Sequence, residues 1–218
     1  MKKLEDMNKQ EWEQLGGVKG YVVLLRAFWV DLVKLNLLFL LGCLLLISIP
    51  ASVTAMSKII GAMIRKEEYS LMTDFFSVWK RELLSSLAIG VFVAIGFAVG
   101  IFGVVVARDT GLSSIAASNI TQAICILLCL ASLNIGVYAF PMKARLHLPV
   151  VVILRNSLLL LIAKFKQNFL ADIVAVIFTG LIILGIPFDL PLFFVGFFSF
   201  TALTLCYITR SGIDVCTY

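Results

Sequence analysis

Residues 79–107 read WKRELLSSLAIGVFVAIGFAVGIFGVVVA, an aromatic and three charged side chains followed by an uncharged run from Leu83 to Ala107. Wound as a helix at about 1.5 Å per residue, that run outreaches the ~30 Å hydrocarbon core of a bilayer. A segment surrounded by lipid must satisfy its own backbone hydrogen bonds, so the run predicts a membrane-crossing helix. A second stretch echoes the first: Phe165-Lys166-Gln167-Asn168-Phe169-Leu170-Ala171-Asp172 also opens into an apolar run. Each follows a proline that closes an earlier apolar run, Pro50 in one case and Pro141 in the other. The spacing of these equivalents, 86 to 91 residues along the sequence, predicts one helical hairpin used twice, an arrangement common in membrane transporters. Boundary aromatic and basic residues, which any multi-spanning protein carries, are the simpler source of the same features.

The whole composition agrees with a membrane chain. Of 218 residues 61% are hydrophobic and 14% charged, with a mean hydropathy of +1.05, against roughly 25% charged in ordinary globular domains. The fold class expected is an all-α integral membrane protein of about five transmembrane helices, with amphipathic helices at the interface. It divides into a polar tail (1–18), one polytopic domain (19–210) and a short C-terminal tail (211–218). The net charge of +5 comes from residues bordering apolar runs, which fits anionic headgroups better than nucleic acid. Cys43, Cys125, Cys129 and Cys206 lie inside apolar runs, where cysteine acts as a small hydrophobe. No histidine or carboxylate cluster accompanies Cys125 and Cys129, so neither a disulfide framework, a metal site nor a cofactor is expected.

Along the chain, residues 1–18 lack the apolar core of a cleaved leader. At 100° per residue Lys19, Arg26, Asp31 and Lys34 share one side of the helix and Val22, Leu25, Trp29 and Val33 the arc beside it, which predicts an interfacial helix. A first span is expected over about Leu35–Ile49, kinked at Pro50. Beyond it Met56, Ile59, Ile60 and Met63 oppose Lys58 and Arg65, so this part should leave the core or bend along its surface. Lys66-Glu67-Glu68 ends it, and Ser70 or Thr73 is placed to cap a helix bearing Phe75, Phe76 and Trp79.

The second span, Leu83–Ala107, aligns Val93, Gly96, Gly100, Gly103 and Ala107 on one stripe, a spacing that lets helix backbones approach closely. Either a neighbouring span or a partner fits such a face. The third span, Ile115–Phe140, carries Ser118, Gln122, Cys125, Cys129 and Ser132 on one side, with Asn119 and Asn134 as further amides. These polar groups should face protein or a wet path. Pro141 ends that span, followed by Lys143, Arg145 and His147. Residues 148–165, interrupted by Arg155-Asn156, are short enough to lie in the interface or re-enter. The fourth and fifth spans are expected at Phe169–Ile186 and Leu192–Thr209, joined by a tight Pro187–Pro191 turn, with Arg210 closing the fifth. Asp172, near the start of the fourth, is expected to pair with Lys166 or Arg155.

Lysines and arginines concentrate in the loops after the first and third spans, which places both loops in the cytoplasm. Trp79, Lys80, Arg81, Arg155, Asn156, Phe165 and Lys166 then mark the cytoplasmic interface. With five spans the N-terminus falls outside, although six Lys or Arg within the first 34 residues oppose that placement.

The order of short motifs resembles the YesL family. Leu35-Asn36-Leu37-Leu38, Pro50-Ala51, Met56, the Phe75-Phe76-x-x-Trp79-Lys80 box, Phe140-Pro141 and Leu154-Arg155-Asn156-Ser157-Leu158-Leu159 carry the resemblance over roughly residues 20–210. It implies a multi-pass protein of the bacterial cell membrane with no established activity, encoded near carbohydrate ABC importers and sensor kinases. No paired carboxylates, nucleophile set or phosphate-binding glycine loop points to an enzyme. The expected role is a non-enzymatic accessory or assembly partner of a carbohydrate importer, whose permease or associated sensor kinase would be the partner. A small-solute transporter or channel lined by the third span is the alternative. The Gly96, Gly100, Gly103, Ser118 and Gln122 faces would serve helix packing or the partner. The sequence leaves the oligomeric state open.

Overall fold

The computed structural model describes residues 17–109, 115–146, 148–185 and 196–215. Every regular element among them is helical: α1 (Gly17–Gly42), α2 (Ile49–Arg65), α3 (Leu71–Arg81), α4 (Leu83–Asp109), α5 (Ile115–Arg145), α6 (Val150–Ala163), α7 (Phe165–Gly185) and α8 (Phe197–Val215). Three helical stretches, Leu46–Arg65, Leu83–Asp109 and Ala117–Arg145, are long and apolar enough to cross a bilayer; Val150–Ala163 is a shorter apolar helix. The chain is thus consistent with a helical membrane protein. Residues 1–16 and 216–218 of the two tails, the Pro187–Pro191 turn and His147 lie outside the described residues, while 17–18 open α1 and 211–215 continue α8.

The first span departs from expectation. The predicted interfacial helix and the beginning of the span form one continuous helix, α1, which stops at Gly42. A 3-10 turn at Leu46–Ser48 follows, and Pro50 sits in the first turn of α2 instead of kinking a longer helix. Proline is favoured there because first-turn N–H groups have no intrahelical acceptor to lose. Ser48 Oγ lies 2.6 Å from the Gly42 carbonyl and 2.7 Å from that of Leu45, occupying acceptors freed at the break. The turn exposes Leu44, Leu45, Leu46 and Ile47, an apolar tip suited to hydrocarbon.

Because the chain turns back here, α2 does not lie along a surface. It packs against α1, α3, α4, α5 and α8. Small residues on several sides, among them Ala51, Ser52, Ala55 and Ala62, are buried and let these neighbours approach. Met56, Ile59, Ile60 and Met63 join Leu32, Leu35 and Phe39 of α1, Phe75 of α3 and Leu203 of α8 in one core. Lys66 takes a left-handed conformation (φ 53°) and closes α2, with the Glu67 N–H reaching back to the Ala62 carbonyl at 2.9 Å. Ser70 stands at the N-cap of α3, where its own N–H is accepted by Asp74 at 2.8 Å.

The α4–α5 pair is the most extensive helix pairing. Helix α5 runs through Pro141 to Arg145 rather than ending before it. Proline so near a C-terminus removes one bond without preventing a last turn. A second core gathers Ile89 of α4, Tyr138 and Met142 of α5, Ile153 and Leu160 of α6, and Ile213 of α8. Helix α8 therefore seals both cores.

One contact ties α8 to α1 across most of the chain. Asn36, fully buried, accepts hydrogen bonds through Oδ1 from the backbone N–H groups of Phe198 (3.1 Å) and Ser199 (3.3 Å). First-turn N–H groups lack intrahelical acceptors, so an amide from another helix acts as the cap. Replacing Asn36 with Leu leaves both donors unsatisfied and should cost about 1–2 kcal/mol. The expected reading is a lower Tm in detergent for Asn36→Leu, with most of the loss recovered in Asn36→Asp.

Candidate functional site

The small-residue stripe of α4 faces α5 of the same chain. A side chain at Gly96 would run into Ser132, one at Gly100 into Cys129 and the Cys125 carbonyl, and one at Gly103 into Cys125. Opposite them the polar stripe of α5 turns inward: Ser118 Oγ donates to the Ala107 carbonyl at 2.8 Å, and Gln122 Nε2 donates to Ser118 Oγ at 3.1 Å. Gly96, Gly100, Gly103, Ser118 and Gln122 are therefore brought together as the inner surface of one hairpin. Asn119 is exposed, and neither cavity described below is lined by it, Gln122 or Asn134. Asp172 meets no Lys166 or Arg155. It accepts from Asn134 Nδ2 at 2.8 Å, next to the Tyr138–Asn168 hydrogen bond of 2.7 Å.

The two aromatic-basic boxes fall at equivalent junctions, each where a short helix passes through one residue into a long one. Glu82 joins α3 to α4 and Lys164 joins α6 to α7, with similar backbones (φ −97°, ψ 10° and φ −113°, ψ 37°). Each gives its N–H to a residue four earlier at 2.9 Å, Val78 and Leu160 respectively. The correspondence extends outward. Thr54 of α2 bonds Ser86 of α4 (2.8 Å), as Tyr138 of α5 bonds Asn168 of α7. Arg65 ends α2 and Arg145 ends α5. These pairs lie 80 to 84 residues apart, not 86 to 91, and the prolines are not equivalent: Pro50 begins α2 whereas Pro141 lies near the end of α5.

At these junctions Lys80, Arg81, Arg155, Phe165 and Lys166 are exposed, while Trp79 and Asn156 are half-buried. Trp79 stacks edge-on against Phe76, ring centroids 6.5 Å apart. Glu82 is buried and receives Arg81 Nε at 2.9 Å, Ser85 Oγ at 2.8 Å and Lys143 Nζ at 3.2 Å. Burial alone would raise its pKa; the hydrogen bonds from Ser85, Arg81 and Lys143 outweigh burial and hold the carboxyl below its ordinary value.

A cavity of about 340 Å³ opens where α1, α2, α5 and α8 meet. Lys58 and Arg65 of α2, Arg145 of α5 and Arg210 of α8 line it, with Gly20 and Leu24 of α1 on its wall. Gly61 leaves room for Arg65, whose Nη1 would lie only 3.2 Å from a side-chain carbon at that position. Arg65 pairs with Glu67 through Nε (2.7 Å) and Nη2 (2.9 Å). That hydrogen bond lowers the Glu67 pKa against the opposing effect of burial, and the charges of Arg65, Lys58 and Arg145 add to it. Arg210 lies 4.1 Å from the Tyr207 ring centre. In sequence Lys58 and Arg65 form a polar stripe on a helix expected to leave the core or bend along its surface, and Arg145 and Arg210 stand just past span ends. Registered on helix ends rather than on prolines, the repeat brings Arg65 and Arg145 to equivalent positions; Lys58 and Arg210 join them through the packing of α2 and α8.

The beginning of α1 shares this end of the bundle: Gly20 lines the cavity, and the Gly17 carbonyl accepts from Tyr207 at 2.8 Å. As far back as Gly17, the described chain therefore stands at the same end of the bundle as these basic helix ends. A second cavity, an apolar groove of about 280 Å³, runs along α4 and α5 between Ile101, Val105, Ile126 and Leu130.

Residues 32–104, about a third of the chain, match a family described as "Protein of unknown function, DUF624". The matched part runs from the middle of α1 into α4 and includes Asn36, all of α2 and the Glu82 junction. No curated protein and no solved structure matches the chain.

The Glu82–Lys143 pair gives a direct test of the junction. With its folded pKa below the ordinary 4.5, Glu82 contributes stability in full above that pH, and loses it as pH falls through the folded value. Glu82→Gln strands a buried ammonium and should destabilise by about 3 kcal/mol, with the acid-side loss of stability flattened. The double variant Glu82→Gln/Lys143→Met should recover much of the loss. Chemical unfolding in detergent between pH 3 and pH 7 measures both.

Proposed function

We propose that this chain is a non-enzymatic integral membrane protein that works as an accessory or assembly partner of a carbohydrate ABC import system in the bacterial cell membrane. The observation carrying the reading is the α4–α5 hairpin. Its polar and glycine faces are turned on each other, yet its outer surface is strongly apolar, with Phe102, Ile120, Ile124 and Leu127 more than half exposed. The groove beside Ile101, Val105, Ile126 and Leu130 gives that surface a concave site for a partner helix. The resemblance to the YesL family supplies the identity of the partner, an importer permease.

The concentration of Lys58, Arg65, Arg145 and Arg210 at one end supports placing that end in the cytoplasm, with the beginning of α1 and the end of α8 beside it. The α4–α5 tip then lies outside. Alkaline phosphatase, which needs an oxidising compartment for its disulfides, should be active when fused after Asp109 and inactive when fused after Val215. The reverse pattern inverts the topology.

Mild-detergent purification from the native host, with co-purifying proteins identified by mass spectrometry, tests the function. A carbohydrate ABC permease should be recovered in near-stoichiometric amount. Filling the groove with Val105→Trp and Ile126→Trp should reduce its recovery about tenfold or more while the chain itself accumulates normally. Recovery of a sensor kinase in place of the permease, or of the chain alone across several detergents, contradicts the proposal.

A further inference from the structure

We propose that the basic cavity between α1, α2, α5 and α8 is a binding site for a phosphate group. Four cationic side chains from three helices reach one space of about 340 Å³, within the size range of ligand pockets. No carboxylate lines it among the described residues; Glu67 stands beside it, paired with Arg65. Basic residues in the last turn of a helix offset its dipole, which accounts for Arg65 and Arg145 singly. It does not account for Lys58, in the interior of α2, or for the convergence of three helices on one opening.

The chemistry of the lining selects the ligand. Guanidinium forks match phosphate and carboxylate oxygens alike, but three guanidinium groups and an ammonium around one space offer more donors than a carboxylate can take, and a phosphate has the oxygens to use them. Val23, Leu24 and Ile213 add an apolar wall, so the group bound has room for an apolar neighbour. A phosphate of this kind comes either from an anionic lipid headgroup or from a soluble phosphate. The same charges act on neighbouring Glu67, whose charged form is favoured first by its hydrogen bond from Arg65, against burial, and then by the charges of Arg65, Lys58 and Arg145.

The full chain, purified in a neutral detergent, is titrated separately with inorganic phosphate and with short-chain phosphatidic acid, and binding is read by thermal shift and calorimetry. Saturable binding of the phosphatidic acid alone assigns the lipid source; binding of inorganic phosphate assigns the soluble one. Either outcome supports the site when Arg145→Gln/Arg210→Gln weakens it by about tenfold or more, while Arg26→Gln, an exposed charge on α1 outside the cavity, leaves it unchanged. If the double variant does not fold, Lys58→Gln reads the same loss at several-fold. Gly61→Leu, which keeps every charge and crowds Arg65, should weaken binding comparably. Failure of the wild-type chain to bind either probe overturns the proposal, as does equal weakening by Arg26→Gln.

Discussion

The bundle depends on how closely its neighbours approach α2. This helix begins at a proline, ends at a left-handed lysine and touches five others, so little of its circumference is free for lipid. In a bilayer, helices gain little from hiding apolar surface from tails that are equally apolar; close backbone packing and interhelical hydrogen bonds hold them together. Ala51, Ser52, Ala55 and Ala62 supply the first, and the Thr54–Ser86 bond supplies the second. Gly90 of α4 completes the fit, because any side chain there would run into Pro50. Larger residues at these positions would push α4 and α1 away and open both cores.

From that central helix the architecture repeats. A helix ending in arginine, a short helix, a one-residue junction and a long helix occur as α2-α3-α4 and again as the end of α5 with α6 and α7. The repeat explains why Arg65 and Arg145 meet: equivalent ends of adjacent helices arrive at the same face of the bundle. Helix α8 brings Arg210 to that face and is itself anchored at its other end by Asn36. The positive end of the molecule is thus a product of packing, not of a charged loop.

Much of this was legible in the residues. The uncharged run after Leu83 announced α4, and the Gly96–Gly100–Gly103 stripe announced a close helix contact, because spacing and residue size are local properties. The box at Trp79–Arg81 marked a real junction for the same reason. Three features were not legible. Pro50 permits either a kink or a helix start, and only the small residues that follow it, read as a packing surface, favour the second. Lys58 and Arg65 lie on one face in both readings; whether that face meets headgroups or the ends of α5 and α8 depends on contacts between segments some 80 to 150 residues apart. Asn36 is the plainest case, since nothing near it in sequence announces that it caps a helix beginning at Phe197.

The central claim is that α2 is an interior helix lying against α4. Cysteines at Thr54 and Ser86, whose hydroxyl oxygens stand 2.8 Å apart, test it in a chain freed of its native thiols and held in native membranes. An interior α2 predicts that mild oxidation forms the 54–86 disulfide in nearly all molecules, seen as one linked peptide pair by mass spectrometry, with both thiols protected from maleimide beforehand. Free labelling of residue 54 and no linked peptide would place α2 on the surface and contradict the arrangement of the bundle.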